Sequence, residues 1–103
     1  MSLNKHQIKF LRKTAHQLKS IYQIGKLGLT DNFIDQLDQA LDRHELIKFN
    51  ILQNSMEEIK EAAFQVAQAL GAEVVQTVGH TATLYRPSSK EKFQDISKQV
   101  AHL

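Results

Sequence analysis

The stretch from Ser20 to Glu45 constrains the fold more than any other. A short apolar run, Ser20 to Ile24, meets a loop bracketed by glycines, Gly25-Lys26-Leu27-Gly28, and the loop leads into a helical pattern that begins beside Thr30 and runs to about His44. A second run follows from Leu46 to Ile51, with Ile47, Phe49 and Ile51 on one face and Lys48 and Asn50 on the other, as in a half-exposed strand. Strand, helix and strand in this order call for a right-handed crossover, so the early strands are expected to pair in parallel. Thr30 suits an N-cap and Asp31 the first turn. A backbone that turns on two glycines and runs into a helix N-terminus presents free amide N–H groups at the positive end of the helix dipole, which favours an anion such as phosphate. Gly25, Lys26, Leu27 and Gly28 are therefore the first candidates for a binding site.

The remaining segments extend this unit on both sides. From about Asn4 to Gln17 a helical period puts Ile8, Leu11, Ala15 and Leu18 on one narrow apolar stripe, with Lys5, Lys9, Arg12, Lys13, His16 and Lys19 about a third of a turn away. Phe10 falls outside that stripe and is expected to close the packing from the side, the alternative being an exposed stacking surface. Ser55 and Glu58 are spaced as a capping box for a third helix that buries Ile59, Ala63, Val66 and Leu70 and stops at Gly71. Two strands, Glu73 to Val78 and Thr81 to Arg86, read as a hairpin turning at Gly79 and His80, with the last strand antiparallel. The order α-β-α-β-α-β-β predicts one α/β domain on a four-stranded mixed sheet, spanning residues 1–87 and closed by Pro87. In the extension, residues 88–103, Ser88 and Glu91 suit a capping box and Phe93, Ile96, Val100 and Leu103 repeat at helical spacing, which suggests a short helix.

Charge is distributed unevenly along the 103 residues. Up to Thr30 the chain carries +6, from Asp31 to Glu73 it carries −6, and the remainder carries +2. Such a molecule offers one face to a polyanion and repels it with another. The basic groups of the first helix have no neutralising i,i+4 partners, an unusual decoration for a merely solvated face. With 42% apolar residues the chain is expected to fold alone, as a monomer, and to bury roughly two thirds of its unfolded surface. No cysteine is present, which excludes a disulfide framework, a thiolate metal site and a Cys nucleophile. Neither an apolar leader core nor a membrane-length apolar run occurs, so a cytoplasmic setting without membrane attachment is expected.

Catalytic and metal chemistry find little support. The sequence lacks a GxxxxGK[ST] loop, a GxSxG elbow and HExxH, and His6, His16, His44, His80 and His102 have no ligand spacing. His44, on the apolar side of its helix, and His80, in the hairpin turn, are expected to be structural. Asp31, Asp35, Asp38 and Asp42 align in a helical row that reads as a water-facing stripe rather than a cation site. No enzyme, metal or cofactor is predicted.

The sequence LGLT after Gly25-Lys26, the helix ending ALDRHELIKF and the late VGHTATLYRP together resemble the YhbY family, the stand-alone bacterial form of the CRM domain. The resemblance runs from about Leu3 to Pro87. It implies an RNA-binding fold similar to the C-terminal domain of a bacterial translation initiation factor, association with the large-subunit precursor of the bacterial ribosome, and no catalysis. It also assigns the family's GxxG loop to Gly25, Lys26, Leu27 and Gly28, beside the basic first helix. A GxxG loop lets an RNA backbone approach main-chain amides without interference from Cβ atoms. Lys26 adds a mobile charge, Lys5, Lys9, Arg12, Lys13 and Lys19 extend the track, and Arg86 is a further candidate that would equally suit an acidic partner. The strands lack clustered aromatics, and Tyr22 and Tyr85 fit the core edge as well as they fit a stacking platform. Backbone and shape recognition of RNA, in particular ribosomal RNA, is therefore expected. If six basic groups met phosphates, affinity would fall by at most about three decades between about 50 and 200 mM salt. The alternative reading is a protein-interaction adaptor, in which Asp35, Asp38 and Asp42 on the acidic helix dock a basic ribosomal protein or assembly factor.

Overall fold

The computed structural model describes residues 3–52 and 58–103. Its helices are α1 (Lys5–Ala15), α2 (Asp31–His44), α3 (Ile59–Leu70) and α4 (Asp95–Val100), and its strands are β1 (Tyr22–Ile24), β2 (Leu46–Ile51), β3 (Glu73–Val78) and β4 (Thr81–Tyr85). A single 3-10 turn, Glu91–Phe93, precedes α4. The chain is thus an α/β domain on a four-stranded mixed sheet, as its hydrophobic periodicity predicts.

Local chemistry accounts for most boundaries. Asn4 and Gln7 close a reciprocal capping box at the start of α1, which satisfies two otherwise orphaned N–H groups. The Thr30 hydroxyl accepts the Phe33 N–H at 3.1 Å and starts α2. Gly71, in the left-handed conformation at φ 64°, ends α3, where a side chain would be strained. The capping box read at Ser55 and Glu58 lies partly outside the described residues; Glu58 is the N-cap of α3 and makes no side-chain capping bond.

The strand order is β1-β2-β4-β3. β1 and β2 pair in parallel, Tyr22 opposite Phe49 and Ile24 opposite Ile51, as the strand-helix-strand order requires. β4 is antiparallel to both its neighbours and lies between β2 and β3, so β2 and β3 run in the same direction without touching. A register shift between Val74 and Gln76 accommodates Val75, which is buried with the second core cluster.

Strand alternation divides the core into two layers. On one face Ile24, Ile47, Phe49, Ile51, Ala82 and Leu84 pack with Phe33, Leu37 and Leu41 of α2 and Ala62, Ala63 and Val66 of α3. The Phe33 and Phe49 rings meet edge to face at 5.8 Å, the arrangement that ring quadrupoles favour. On the other face Leu46, Val75 and Tyr85 are covered by Leu11 and Ala15 of α1 and Val100 of α4. The second face is therefore covered around Leu46, Val75 and Tyr85, while a cleft bordered by Lys48, Gln76 and Val78 leaves its hairpin half partly open. Lys48, half-buried at the edge of this cover, donates its ammonium to the Leu18 carbonyl at 3.3 Å.

Of two side-chain expectations on α1, that for Phe10 is met and that for Ile8 is corrected. Phe10, with Leu3 and Leu18, packs against the second cluster, whereas Ile8 stays half-buried beside Lys5, Lys9 and Arg12.

The segment after Pro87 is docked by Glu45, the C-cap residue of α2. Glu45 ends α2 with a positive φ of 66°, a strained conformation for a side-chain-bearing residue. Its fully buried carboxylate accepts the N–H groups of Ser88 at 2.7 Å, Ile96 at 3.1 Å and Ser97 at 2.9 Å. It thereby caps the first turn of α4 from a distant part of the chain. The Ser88–Glu91 capping box does not form: the Ser88 hydroxyl donates to the Asp42 carbonyl and accepts from the Lys90 N–H. Gln7 and Asn4 side chains donate to the carbonyls of Val100 and Leu103, fastening the other end of α4 to α1.

Candidate nucleic-acid interface

The glycine loop lies at the end of β1 as a tight turn, with the Gly28 N–H donating to the Gly25 carbonyl at 3.1 Å. Gly28 has φ 71°, which makes glycine the residue of choice there. This bond consumes the Gly28 amide, while the N–H groups of Lys26 and Leu27 bond to no described residue. The Lys26 and Leu27 side chains are exposed, Leu27 to 87%. Asp31 is exposed in the first turn of α2 and already complements the helix dipole. An anion at this loop would therefore be held by two amides and the Lys26 ammonium more than by the helix end.

Registers place the loop relative to the basic helix. Gly25 follows Ile24, which is opposite Ile51, and the Ile51 N–H donates to the carbonyl of His80 at the tip of the β3–β4 hairpin. Loop and hairpin thus share one end of the sheet. His16, immediately after α1, borders a cleft with Lys48, Gln76, Val78, Thr81 and Thr83, so the C-terminal end of α1 leads to that same sheet end. The Ser20 hydroxyl bonds the Asn50 side chain at 3.0 Å and holds the connection from α1 into β1 across β2.

Lys5, Lys9, Arg12, Lys13 and Lys19 are all exposed. No ion pair ties any of them, or Lys26, to a carboxylate among the described residues. The C-terminal end of α1 therefore lies toward the sheet end that carries the loop, whereas its N-terminal turn, with Leu3 and Gln7, lies by Tyr85 and Pro87 at the opposite end of β4.

Arg86 is placed differently. Its guanidinium donates to the Asp38 carboxylate at 2.7 Å, the Asp38 carbonyl at 2.9 Å and the Leu70 carbonyl at 3.0 Å, tying α2 to the end of α3. Its side chain is only 19% exposed, and it lies where β4 ends, opposite the hairpin end of that strand. Of its two readings, the acidic partner is the one realised.

Arg86 and the C-terminal segment also divide the aspartate row. Asp38 pairs with Arg86, and Asp42 accepts the Ser89 N–H at 2.8 Å and hydroxyl at 3.0 Å. These bonds hold the Asp42 carboxyl below its ordinary range, the Ser89 backbone contributing most. Asp31 and Asp35 remain exposed. Near this row the Arg43 guanidinium stacks on the Phe93 ring at 4.2 Å, with Lys92 at 5.0 Å.

The aromatic and histidine expectations resolve as follows. Tyr85 is buried and its phenol is pushed up to about 12, by desolvation first and the Glu45 charge second. Tyr22 packs against the first core cluster. His44, expected on the apolar side of α2, is exposed in its last turn, where a basic group complements the carbonyl end of the dipole. His80 is exposed and serves the sheet through its carbonyl. Among the described residues no group of three His, Cys, Asp or Glu side chains is placed to hold a metal ion, and no helix is long and apolar enough to cross a membrane.

Comparison with known proteins gives consistent matches. The profile of the CRS1/YhbY (CRM) domain matches residues 3–86. YqeI of Bacillus subtilis (strain 168), named a probable RNA-binding protein, is 42% identical over 86 residues, covering 84% of this chain and 90% of that one. A Haemophilus influenzae protein named as RNA-binding is 34% identical over 93 residues, covering 90% of this chain and 94% of the other. A Staphylococcus aureus protein solved in solution superposes with a TM-score of 0.73 at 38% identity, over 91% of this chain and 98% of the other.

Proposed function

The chain belongs to the CRS1/YhbY (CRM) domain family, and from that premise we propose that it is an RNA-binding protein that grips the ribose-phosphate backbone. The Lys26 and Leu27 amides and the Lys26 ammonium form the clamp. Lys9, Arg12 and Lys13 on α1, with Lys5 and Lys19 at its flanks, form the adjoining electrostatic track. The observation that carries this reading is the set of six exposed cations from Lys5 to Lys26, none ion-paired to a carboxylate among the described residues, with the C-terminal end of α1 leading to the sheet end that holds the loop. Such a surface supplies positioning and affinity without base-edge readout.

The activity is binding, with no catalytic step, no cofactor and no metal. The chain acts as a cytoplasmic monomer on ribosomal RNA in the large-subunit precursor, where ribosomal proteins are its natural neighbours. Arg86 belongs to the scaffold rather than to the clamp, and residues 88–103 are an extension of the RNA-binding domain.

Replacing Lys9, Arg12 and Lys26 together by Ala tests the reading. Loss of three phosphate contacts is expected to weaken RNA binding by roughly a hundredfold or more at low salt with an unchanged thermal midpoint. Unaltered affinity would refute it. Crosslinking in cells, followed by sequencing of the attached RNA, tests the ribosomal assignment, which predicts enrichment of large-subunit precursor sequences.

A further inference from the structure

Resting on that reading, we infer that the sheet end beside the glycine loop receives the bases of unpaired nucleotides, so that the RNA taken is single-stranded rather than duplex. The end of the sheet carries aliphatic side chains that a pure phosphate reader would not need. Leu27 at the loop tip is 87% exposed, Val78 at the end of β3 is 65% exposed and Leu52 after β2 is 37% exposed. Leu52 is fixed beside the loop, since its N–H donates to the Ile24 carbonyl at 2.9 Å and its Cδ1 lies 3.9 Å from where a Cβ on Gly25 would stand. The exposed His80 at the hairpin tip stands between Leu52 and Val78 in strand order. From β1 to β3 the row crosses three strand spacings, about 14 Å, room for more than one base.

The charge around the row selects its occupant. Lys26 adjoins Leu27, and Lys48 shares the cleft of Val78, so whatever lies on the aliphatic row also lies against cations. An unpaired RNA strand offers both surfaces at once, phosphates for the cations and splayed bases for the leucines and valine. An A-form duplex keeps its bases stacked inside and offers ribose, phosphate and groove edges. The row contains no Phe, Tyr or Trp, so base contact there is sequence-tolerant and weaker than aromatic stacking.

The test compares the full chain with its Leu27→Ala/Val78→Thr variant on a mixed-sequence RNA oligonucleotide, single-stranded and annealed to its complement. Both replaced side chains are largely exposed, and Leu27→Ala alone, in a loop, serves should the double variant fail to fold. The native chain is expected to favour the single strand by about tenfold, and the variant to lose about fivefold on the single strand with little change on the duplex. Equal native affinity for both forms, or a variant loss absent or identical on both, would overturn the inference while leaving the backbone clamp intact. Failure to bind either form would overturn the RNA reading itself. Retention of the single strand by Leu27→Ala together with capture of an apolar protein through the same row would assign the surface to a protein partner and overturn the inference.

Discussion

The buried carboxylate of Glu45 accepts the backbone N–H of Ser88 at 2.7 Å, 43 positions further along the chain. Its other oxygen receives Ile96 and Ser97, so one side chain fixes where the C-terminal segment leaves the sheet and where α4 begins. Glu45→Ala would strand three amides near the core. It is expected to cost about 3 kcal/mol, a fall in the thermal midpoint on the order of 10–20 °C for a domain of this size. Hydrogen exchange localises the effect: the amides of Ile96 and Ser97 should lose protection first, and unchanged exchange there would show that Glu45 does not hold α4.

Arg86 and Asp38 are expected to behave as a structural pair. Arg86→Ala leaves the carbonyls of Leu70 and Asp38 without their donor and should destabilise by about 2 kcal/mol. Because Asp38 is about half exposed, the coupling in a double-mutant cycle with Asp38→Asn should stay near or below about 1 kcal/mol. RNA affinity measured on the folded fraction should not change; a large selective loss would return Arg86 to the interface.

Two titrations act at opposite ends of the pH scale. Tyr85 is held neutral to about 12 in the folded chain against an ordinary 10.0. Above pH 10 the unfolded state releases this proton and the folded state keeps it, so stability falls as pH rises from 10 toward 12, by up to about 3 kcal/mol. Ultraviolet titration of a Tyr22→Phe variant, in which Tyr85 alone absorbs as phenolate, should place the transition near 12. Asp42 is shifted the other way: its charge stabilises the fold above the ordinary carboxylate range, and that contribution disappears as the pH falls through the lowered value. Asp42→Asn should therefore flatten the acid limb of a stability profile.

Much of the scaffold was legible because it is encoded locally. Alternation at Ile47, Phe49 and Ile51 marks β2, Thr30 and Asp31 mark the start of α2, and Gly79-His80 marks the hairpin. Strand order was not legible, because whether β4 lies beside β2 or outside β3 depends on side chains meeting across the sheet. Glu45 was missed for the same reason: its partners lie 43 to 52 positions away, and an acid at a helix end looks like any solvated acid. At the candidate interface the loop and its cations were readable from glycine spacing and charge. The use of the Gly28 amide within the turn, and the aliphatic row along the sheet end, required the fold.

The central claim is that exposed cations on α1 and Lys26 bind an RNA backbone together with the loop amides. Its most direct test is the salt dependence of affinity for single-stranded RNA. Six contacts at about −0.7 per phosphate set a limiting log–log slope near −4, or roughly two and a half decades lost between about 50 and 200 mM salt. Replacing Lys9, Arg12 and Lys26 by Ala should make that slope shallower by about 2. A native slope near zero, or a slope that the three replacements leave unchanged, would contradict the account.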